Sequence, residues 1–396
     1  MMKKLAFIIA LTLSASLPLS NAYASGGQLS QATANKVQRA NDLQLNDKLT
    51  QAIALLAEMN PRSAYDKAYV QRMLGVFYWQ QGKQSQAISL LTKAVNSGLL
   101  HDDQAWTTER MLADILLSDA KYSQALPHYY KLTKNIPAKQ KGDELWLRIA
   151  QAHYQQSQWQ QVLTAMKHYD GYRLKDTMSP LSIKLGAQLQ LKQWQGASAT
   201  LNRLIALEPN KLIWWQQLAS IQMRTGKNAD ALATLKLAKY QGVALSQQDL
   251  KVLAQLYAQR GIPERAAEQI AALKDANSDK TLLIEQANYW QMAREWNKAI
   301  KLWTKVAAKD NHYRWQLAQL LVQEGDYKQA LVELDRVKRK DKQAAVELAK
   351  VRVYYKMNNL DQAIIHAKQA NNIQPSSAAK SWIKYLAQMR KIDVSA

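Results

Sequence analysis

The sequence predicts an all-α protein built as a stack of antiparallel helical hairpins. Three observations predict it. A chain of 396 residues, or 372 once a 24-residue leader is subtracted, exceeds the ~250–300 residues at which one hydrophobic core stops growing. Only 13 Gly and 8 Pro occur, few for a sandwich, a barrel or another turn-dense fold. One short pattern, an aromatic residue followed three positions later by Ala and an apolar helical stretch, also recurs along the chain at a nearly constant period. Apolar residues make up 47% of the chain, which excludes wholesale disorder. The absence of Cys excludes a disulfide framework, thiolate metal sites, a Cys nucleophile and a lipid-modified N-terminal cysteine.

The elements follow in chain order. Lys3 and Lys4 form a positive start, Leu5 to Leu13 a short apolar run, Pro18 a break, and Ala22-Tyr-Ala24 a small-residue cleavage site. This is the pattern of a secretory signal peptide cleaved after Ala24. The apolar run is shorter than the ~17–25 residues that cross a bilayer, and no later segment reaches that length without charge, so the mature chain is expected to have no membrane span. The predicted location is the periplasm, with full secretion as the alternative. Residues 25–30 read as a flexible start.

From residue 31 to 375 the chain repeats itself. The pattern is visible in Tyr122-Ser-Gln-Ala125, Trp194-Gln-Gly-Ala197, Trp296-Asn-Lys-Ala299 and Tyr327-Lys-Gln-Ala330. Alignment on the Ala gives Ala52, Ala87, Ala125, Val162, Ala197, Ala231, Ala266, Ala299, Ala330 and Ala363, spaced 31 to 38 residues apart. Twelve residues before each anchor lies a second small residue: Ala40, Gly75, Ala113, Ala150, Ala219, Ala254, Ala287 and Ala318. Gly186 falls one residue off this register, and Val351 is large. Seven residues further on, Gly82, Gly226, Gly261, Gly325 and Asn358 supply residues that tolerate the left-handed conformation closing a helix. Two helices facing each other through small residues, joined by a short turn, satisfy this spacing. About nine to ten hairpins are expected, the first degenerate. One hairpin cannot bury both faces, so neighbours must stack. Residues 376–390 place Trp382, Ile383, Leu386 and Met389 on one helical face, suited to capping the last hairpin.

Chemistry-bearing patterns are few. No phosphate-cradling Gly-rich loop, His-Glu-x-x-His or Gly-x-Ser-x-Gly occurs, and no two of the six His are spaced i,i+4. No catalytic, cofactor or metal residues are therefore assigned. His153 takes a slot that holds Tyr78 or Tyr257 in other repeats and reads as a packed residue. Asp102-Asp103 reads as a helix start, where negative charge suits the macrodipole.

The net charge is +22, and +13 falls in residues 210–396 against +7 in 25–209. The densest run is Arg336, Lys338, Arg339, Lys340 and Lys342. It is either a solvated helix end or a surface for an acidic partner or an anionic envelope. Nucleic acid is not expected of an exported chain without a reader motif.

A period near 34 with this signature resembles the tetratricopeptide repeat (TPR) family. Trp215-Gln-Gln-Leu218-Ala219 and Leu74-Gly75-Val-Phe-Tyr78 are similar to its first helix. Ala87, Leu91 and Ala94, like Ala231, Leu235 and Ala238, are similar to its second, and Pro61, Pro137, Pro209 and Pro375 fall at its closing position. The resemblance implies a right-handed α-solenoid that acts as a non-enzymatic protein–protein interaction scaffold, without cofactor. It also implies a partner groove on the first helices. Counting in register gives Arg72, Trp79, Arg110 and Tyr154 in the first half of the chain. The second half contributes Gln216, Met223, Lys251 and Gln255, then Trp315, Gln319, Arg352 and Tyr355. For Trp79, Tyr154, Trp315 and Tyr355, partner contact and plain packing remain equally open.

A narrower resemblance lies in Leu212-Ile-Trp-Trp-Gln-Gln-Leu218, Leu256-Tyr-Ala-Gln-Arg-Gly-Ile-Pro263 and the tail Trp382-Ile-Lys-Tyr385. These segments are similar to exported TPR proteins encoded with TonB–ExbB–ExbD energy-transducing systems. That resemblance implies envelope partners, among them TonB–ExbB–ExbD components, and outer-membrane uptake of iron complexes. The alternative reading is an envelope polyanion-binding or cell-wall assembly factor that uses its basic C-terminal surface.

Overall fold

The computed structural model describes residues 27–394, so the proposed leader and cleavage site lie outside the described residues. The chain divides into two compact units, residues 1–174 and 175–396. In the first unit, α1 (Gln31–Leu45) pairs with α2 (Leu49–Ala57), and α3 (Ala64–Gln80) with α4 (Gln84–Asn96). There α5 (Asp102–Ser118) pairs with α6 (Tyr122–Leu132), and α7 (Gly142–Gln155) with α8 (Trp159–Asp170). In the second unit the pairs begin with α9 (Met178–Gln190) and α10 (Trp194–Leu207), then α11 (Leu212–Arg224) and α12 (Asn228–Tyr240). They continue with α13 (Gln247–Gln259) and α14 (Pro263–Ala271), then α15 (Lys280–Met292) and α16 (Trp296–Lys309). The last pairs are α17 (Arg314–Glu324) with α18 (Tyr327–Asp335) and α19 (Gln343–Lys356) with α20 (Leu360–Ile373), followed by α21 (Ser377–Val394). No strand occurs among the described residues, and no described helix is long and apolar enough to cross a membrane.

The small residues lie at the hairpin contact. All ten anchors, the eight Ala at 87, 125, 197, 231, 266, 299, 330 and 363 among them, have no exposed surface. The facing register is filled complementarily. The small Ala287 of α15 shares its cluster with the large Trp303 of the paired α16, whereas the large Val351 shares its cluster with the small Ala367. In α9 the register position belongs to Leu185, 3% exposed, and Gly186 falls one residue past it.

Every hairpin turns the same way. The residue seven after the small position has positive φ in all ten: Asp47, Gly82, Ala120, Ser157, Lys192, Gly226, Gly261, Arg294, Gly325 and Asn358. The next amide donates five residues back, as in Lys83 N–H to Tyr78 O (2.8 Å) and Gln193 N–H to Gln188 O (2.8 Å). This satisfies a carbonyl that the helix end would otherwise orphan.

Both ends of the array are closed. Ser30 caps α1 and ties it to α3, its hydroxyl donating to Asp66 Oδ2 at 2.5 Å. Gly27 packs so close to Tyr65 that a Cβ there would lie 2.8 Å from the ring. At the other end Leu386 of α21 is fully buried beside Val351, Ala363 and Ala367, with Trp382 and Ile383 packed against them.

Candidate partner-binding face

The leading helix of each hairpin exposes its positions in a fixed register, and the two units use that register differently. In the first unit the side chains bond to one another. Arg72 on α3 is 8% exposed, and its Nε donates to Thr108 Oγ1 on α5 at 2.9 Å. Its guanidinium carbon lies 5.7 Å from the Tyr69 ring centroid, and burial lowers its pKa. Arg110 on α5 donates through Nη2 to Glu144 Oε2 on α7 at 2.5 Å and lies over Trp106 at 5.7 Å. Burial pushes Glu144 up, but the hydrogen bonds and charges of Arg110 and Lys141 together outweigh it and hold the carboxyl below its usual range. Beside them Asp114 accepts from the Tyr129 hydroxyl at 2.5 Å, with Arg148 Nε at 3.9 Å and Arg110 Nε at 3.7 Å. Burial nevertheless raises the Asp114 pKa. Val76 and Leu117 are buried, Trp79 is half-buried, and Tyr154 stands edge-on to Trp159 at 5.1 Å.

Arg72 is therefore unavailable as an exposed anchor, which corrects the register count. Arg110 is likewise committed to an intramolecular ion pair. Counting along one helix does not reveal that the neighbouring leading helix brings Thr108 and Glu144 to these cations.

The second unit is more open. Gln216 is committed, its Nε2 lying 3.1 and 2.9 Å from the two oxygens of Asp249, the acid of the α13 capping box. Met223 and Trp315 are half-buried against the hairpin cores. The Tyr355 hydroxyl lies 2.9 Å from that of Tyr385, and its ring meets Trp382 edge-on at 5.4 Å, so α21 engages it. By contrast, Gln255, Gln319 and Arg352 are exposed and make no hydrogen bond or ion pair with other described residues; Lys251 is half-exposed and equally unpaired.

Gln255, Gln319 and Arg352 share one position, the residue after the small register residue. The same position holds Ser220 in α11 and Asn288 in α15, both exposed and without a partner among the described residues. The sequence count missed Asn288 because it started from a Leu that α15 lacks. Gln286 stands there instead, 4% exposed, its Nε2 donating to Ala276 O at 3.0 Å. Counting from Ala287, twelve residues before Ala299, would have found Asn288.

The basic run lies in the loop between α18 and α19. Asn311 and Gln343 hold its backbone, accepting from Lys338 N–H and donating to Val337 O and Arg339 O. Arg336 pairs with Glu333, while Arg339 and Lys342 pair with Asp341. Lys338 and Lys340 remain exposed and unpaired. His153 is buried, one ring nitrogen 2.6 Å from Gln158 Oε1 and the other 2.7 Å from the Tyr130 hydroxyl, so it is a packed residue. Asp102 and Asp103 open α5. No group of His, Asp and Glu suited to a metal ion occurs among the described residues.

No protein-family profile matches the chain, and no curated protein matches it. Among solved structures it is similar to a tetratricopeptide repeat protein from Parabacteroides merdae, at 16% identity over 65% of this chain and 99% of that one, with a TM-score of 0.38. It is similar to Naa15/Naa10 bound to HypK-THB, at 11% identity over 81% of this chain and 64% of that one, with a TM-score of 0.43. It is also similar to YrrB, described as a TPR protein with an unusual peptide-binding site, at 16% identity over 48% of this chain and all of that one, with a TM-score of 0.34. The hairpin geometry above, rather than these distant likenesses, carries the reading of the fold.

Proposed function

We propose that this protein is a non-enzymatic interaction scaffold of the TPR type, exported to the periplasm, which holds a segment of another envelope protein against the leading helices of its second unit. One observation carries the reading. On the equivalent face of the first unit Arg72, Arg110 and Asp114 bond to neighbouring side chains, whereas the second unit leaves Ser220, Gln255, Asn288, Gln319 and Arg352 exposed and without a partner among the described residues at one register position. Side chains with no structural partner, repeated in five of the unit's six hairpins, suit recognition better than folding. The TonB-linked resemblance makes TonB–ExbB–ExbD components the partners of choice, with iron-complex uptake as the setting.

A photo-crosslinking residue at Gln255 or Gln319 is expected to trap a protein in the source cells, and one at Lys305 on α16 is not. N-terminal sequencing of the mature chain is expected to start at Ser25. Equal trapping from Lys305, or none from either Gln, would refute the scaffold reading. The polyanion alternative retains two free cations, Lys338 and Lys340, since carboxylates within the loop and on α18 engage the other three.

A further inference from the structure

We propose a small-molecule site in the hairpin of α3 and α4: an open cavity that takes an aromatic ring carrying a carboxylate. The site goes beyond the scaffold reading, because the cavity lies within one hairpin of the first unit and uses none of the exposed row in the second.

The cavity, about 420 Å³, exists because this hairpin leaves a core slot unfilled. Counting from the small register residue, Ala219 in α11, the positions seven and four before it are Leu212 and Trp215. Both pack with Ala238 and Val243, and Trp215 is 3% exposed, its Nε1 donating to Pro209 O at 2.7 Å. Counted from Gly75 in α3, the same positions hold Ala68 and Gln71, and the matching residues on the other side are Ala94 and Leu99. A leucine and an indole have become a methyl group and a carboxamide, so the space between the helices stays open. From α5 onwards every other leading helix closes the slot four before the small residue. It does so with Leu or Trp, or with a charge bonded to the trailing helix, as Glu109 to His128 and Arg314 to Glu333.

The opening lies within the ~300–1,000 Å³ typical of ligand pockets. An indole closes the equivalent space in α11, so a flat ring of one or two fused cycles suits α3 and α4. The rim is cationic. Lys67 and Lys93 line the cavity, both exposed and neither bonded to another described residue, and no Asp or Glu lines it. Two cations without an anion favour a carboxylate. Gln71, half-buried and bonded to no described residue, offers a donor and an acceptor beside the ring. Arg72, the next residue, turns instead to Thr108 on α5, so the cavity is separate from that network.

Equilibrium dialysis of indole-3-acetate against the full mature chain tests the inference. Tryptamine, the same ring with a cation, and hexanoate, a carboxylate without a ring, are each expected to bind about tenfold or more weakly. Gln71→Trp gives α3 the residue that closes the slot in α11. It should abolish binding and leave α3 and α4 at least as protected from hydrogen exchange. Lys67→Gln with Lys93→Gln changes exposed side chains that bond nothing in the protein. It should weaken binding about tenfold, as loss of charged hydrogen bonds does, with melting unchanged. If Gln71→Trp unfolds α3, the lysine variant decides, since it leaves the packing untouched. A free acid and the C-terminal residue of a peptide share this chemistry; the tighter binder of indole-3-acetate and Gly-Gly-Trp with a free carboxylate identifies the source, and either result supports the site. No binding of either, or undiminished binding to a folded Gln71→Trp variant, would overturn the site. Undiminished binding to the lysine variant, or equal binding of tryptamine, would overturn the anion preference, and equal binding of hexanoate the requirement for a ring.

Discussion

Replacing Gly75 by Ala sets two lines of reasoning against each other. Seven other leading helices carry Ala at this register, and Gly→Ala inside a helix is worth ~1 kcal/mol in propensity. Repeat consensus therefore predicts a gain. The geometry predicts a loss. A Cβ on Gly75 would lie 2.6 Å from Leu91 Cγ, 2.9 Å from Cδ2 and 3.3 Å from the Leu91 backbone nitrogen. Leu91 has no exposed surface, so its side chain has no open space to enter, and the close backbone nitrogen shows that α3 and α4 themselves must separate. Overpacking of this kind costs ~1–3 kcal/mol, here toward the upper end, so the net loss should be about 1–2 kcal/mol after the propensity gain. An array of hairpins need not unfold in one step, so the measurement should be local. Backbone hydrogen exchange in α3 and α4 should accelerate while α19 and α20 stay unchanged. In a Leu91→Val background the same substitution should cost less, because the clashing branch point has moved. Increased protection of α3 and α4 in Gly75→Ala would refute the reasoning and restore the consensus argument.

The turn positions give a second expectation. Lys192→Gly or Arg294→Gly should stabilise its hairpin by about 0.5–1 kcal/mol, since a non-Gly residue in the left-handed region costs ~1–2 kcal/mol and Gly gives back part through unfolded-state entropy; a melting temperature that falls would count against it. Glu109 supplies a pH dependence. Burial raises its pKa, but hydrogen bonds from His128 (2.8 Å) and Lys131 (2.5 Å) outweigh burial and lower it overall. A carboxyl whose folded pKa lies below its unfolded one stabilises above the ordinary carboxylate range, and that stability is lost as the pH falls through the folded value. Asp114, raised by burial, works in the opposite direction in the same hairpin, so the test is the difference made by Glu109→Gln: exchange in α5 and α6 should lose part of its acid sensitivity. Arg72→Ala should destabilise the first unit by ~1–3 kcal/mol through the buried bond it gives up, with crosslinking from Gln319 unaffected; a normal melt with reduced crosslinking would return Arg72 to the partner face.

Why the hairpins were legible, and half of their turns were not, has a physical cause. The contact between helices needs a small residue at two places, so selection at Ala87 or Ala231 leaves a mark in composition that alignment on one letter recovers. The turn needs a conformation, and five hairpins reach it with Asp47, Ala120, Ser157, Lys192 and Arg294. The amide bond five residues back and the packing of both helices impose positive φ there, at a cost the hairpin core absorbs. Only where Gly or Asn stands did the letter itself announce the turn.

The face was legible in a different sense. Gln255, Gln319 and Arg352, which the register places on one helical face, are exposed, because position along a helix fixes direction. Register could not tell a free cation from a bonded one. Arg72 lies three before its small register residue Gly75 and Arg352 one after Val351, one helical turn apart on the face that the register defines, yet one meets a hydroxyl on the next helix and the other meets solvent. That difference depends on Thr108, 36 residues away, and on nothing in the repeat of which Arg72 is part. A repeat protein thus writes its architecture in each unit and its binding chemistry between units. An exposed polar group acquires meaning only once its neighbours have failed to satisfy it, and for the row from Ser220 to Arg352 they have.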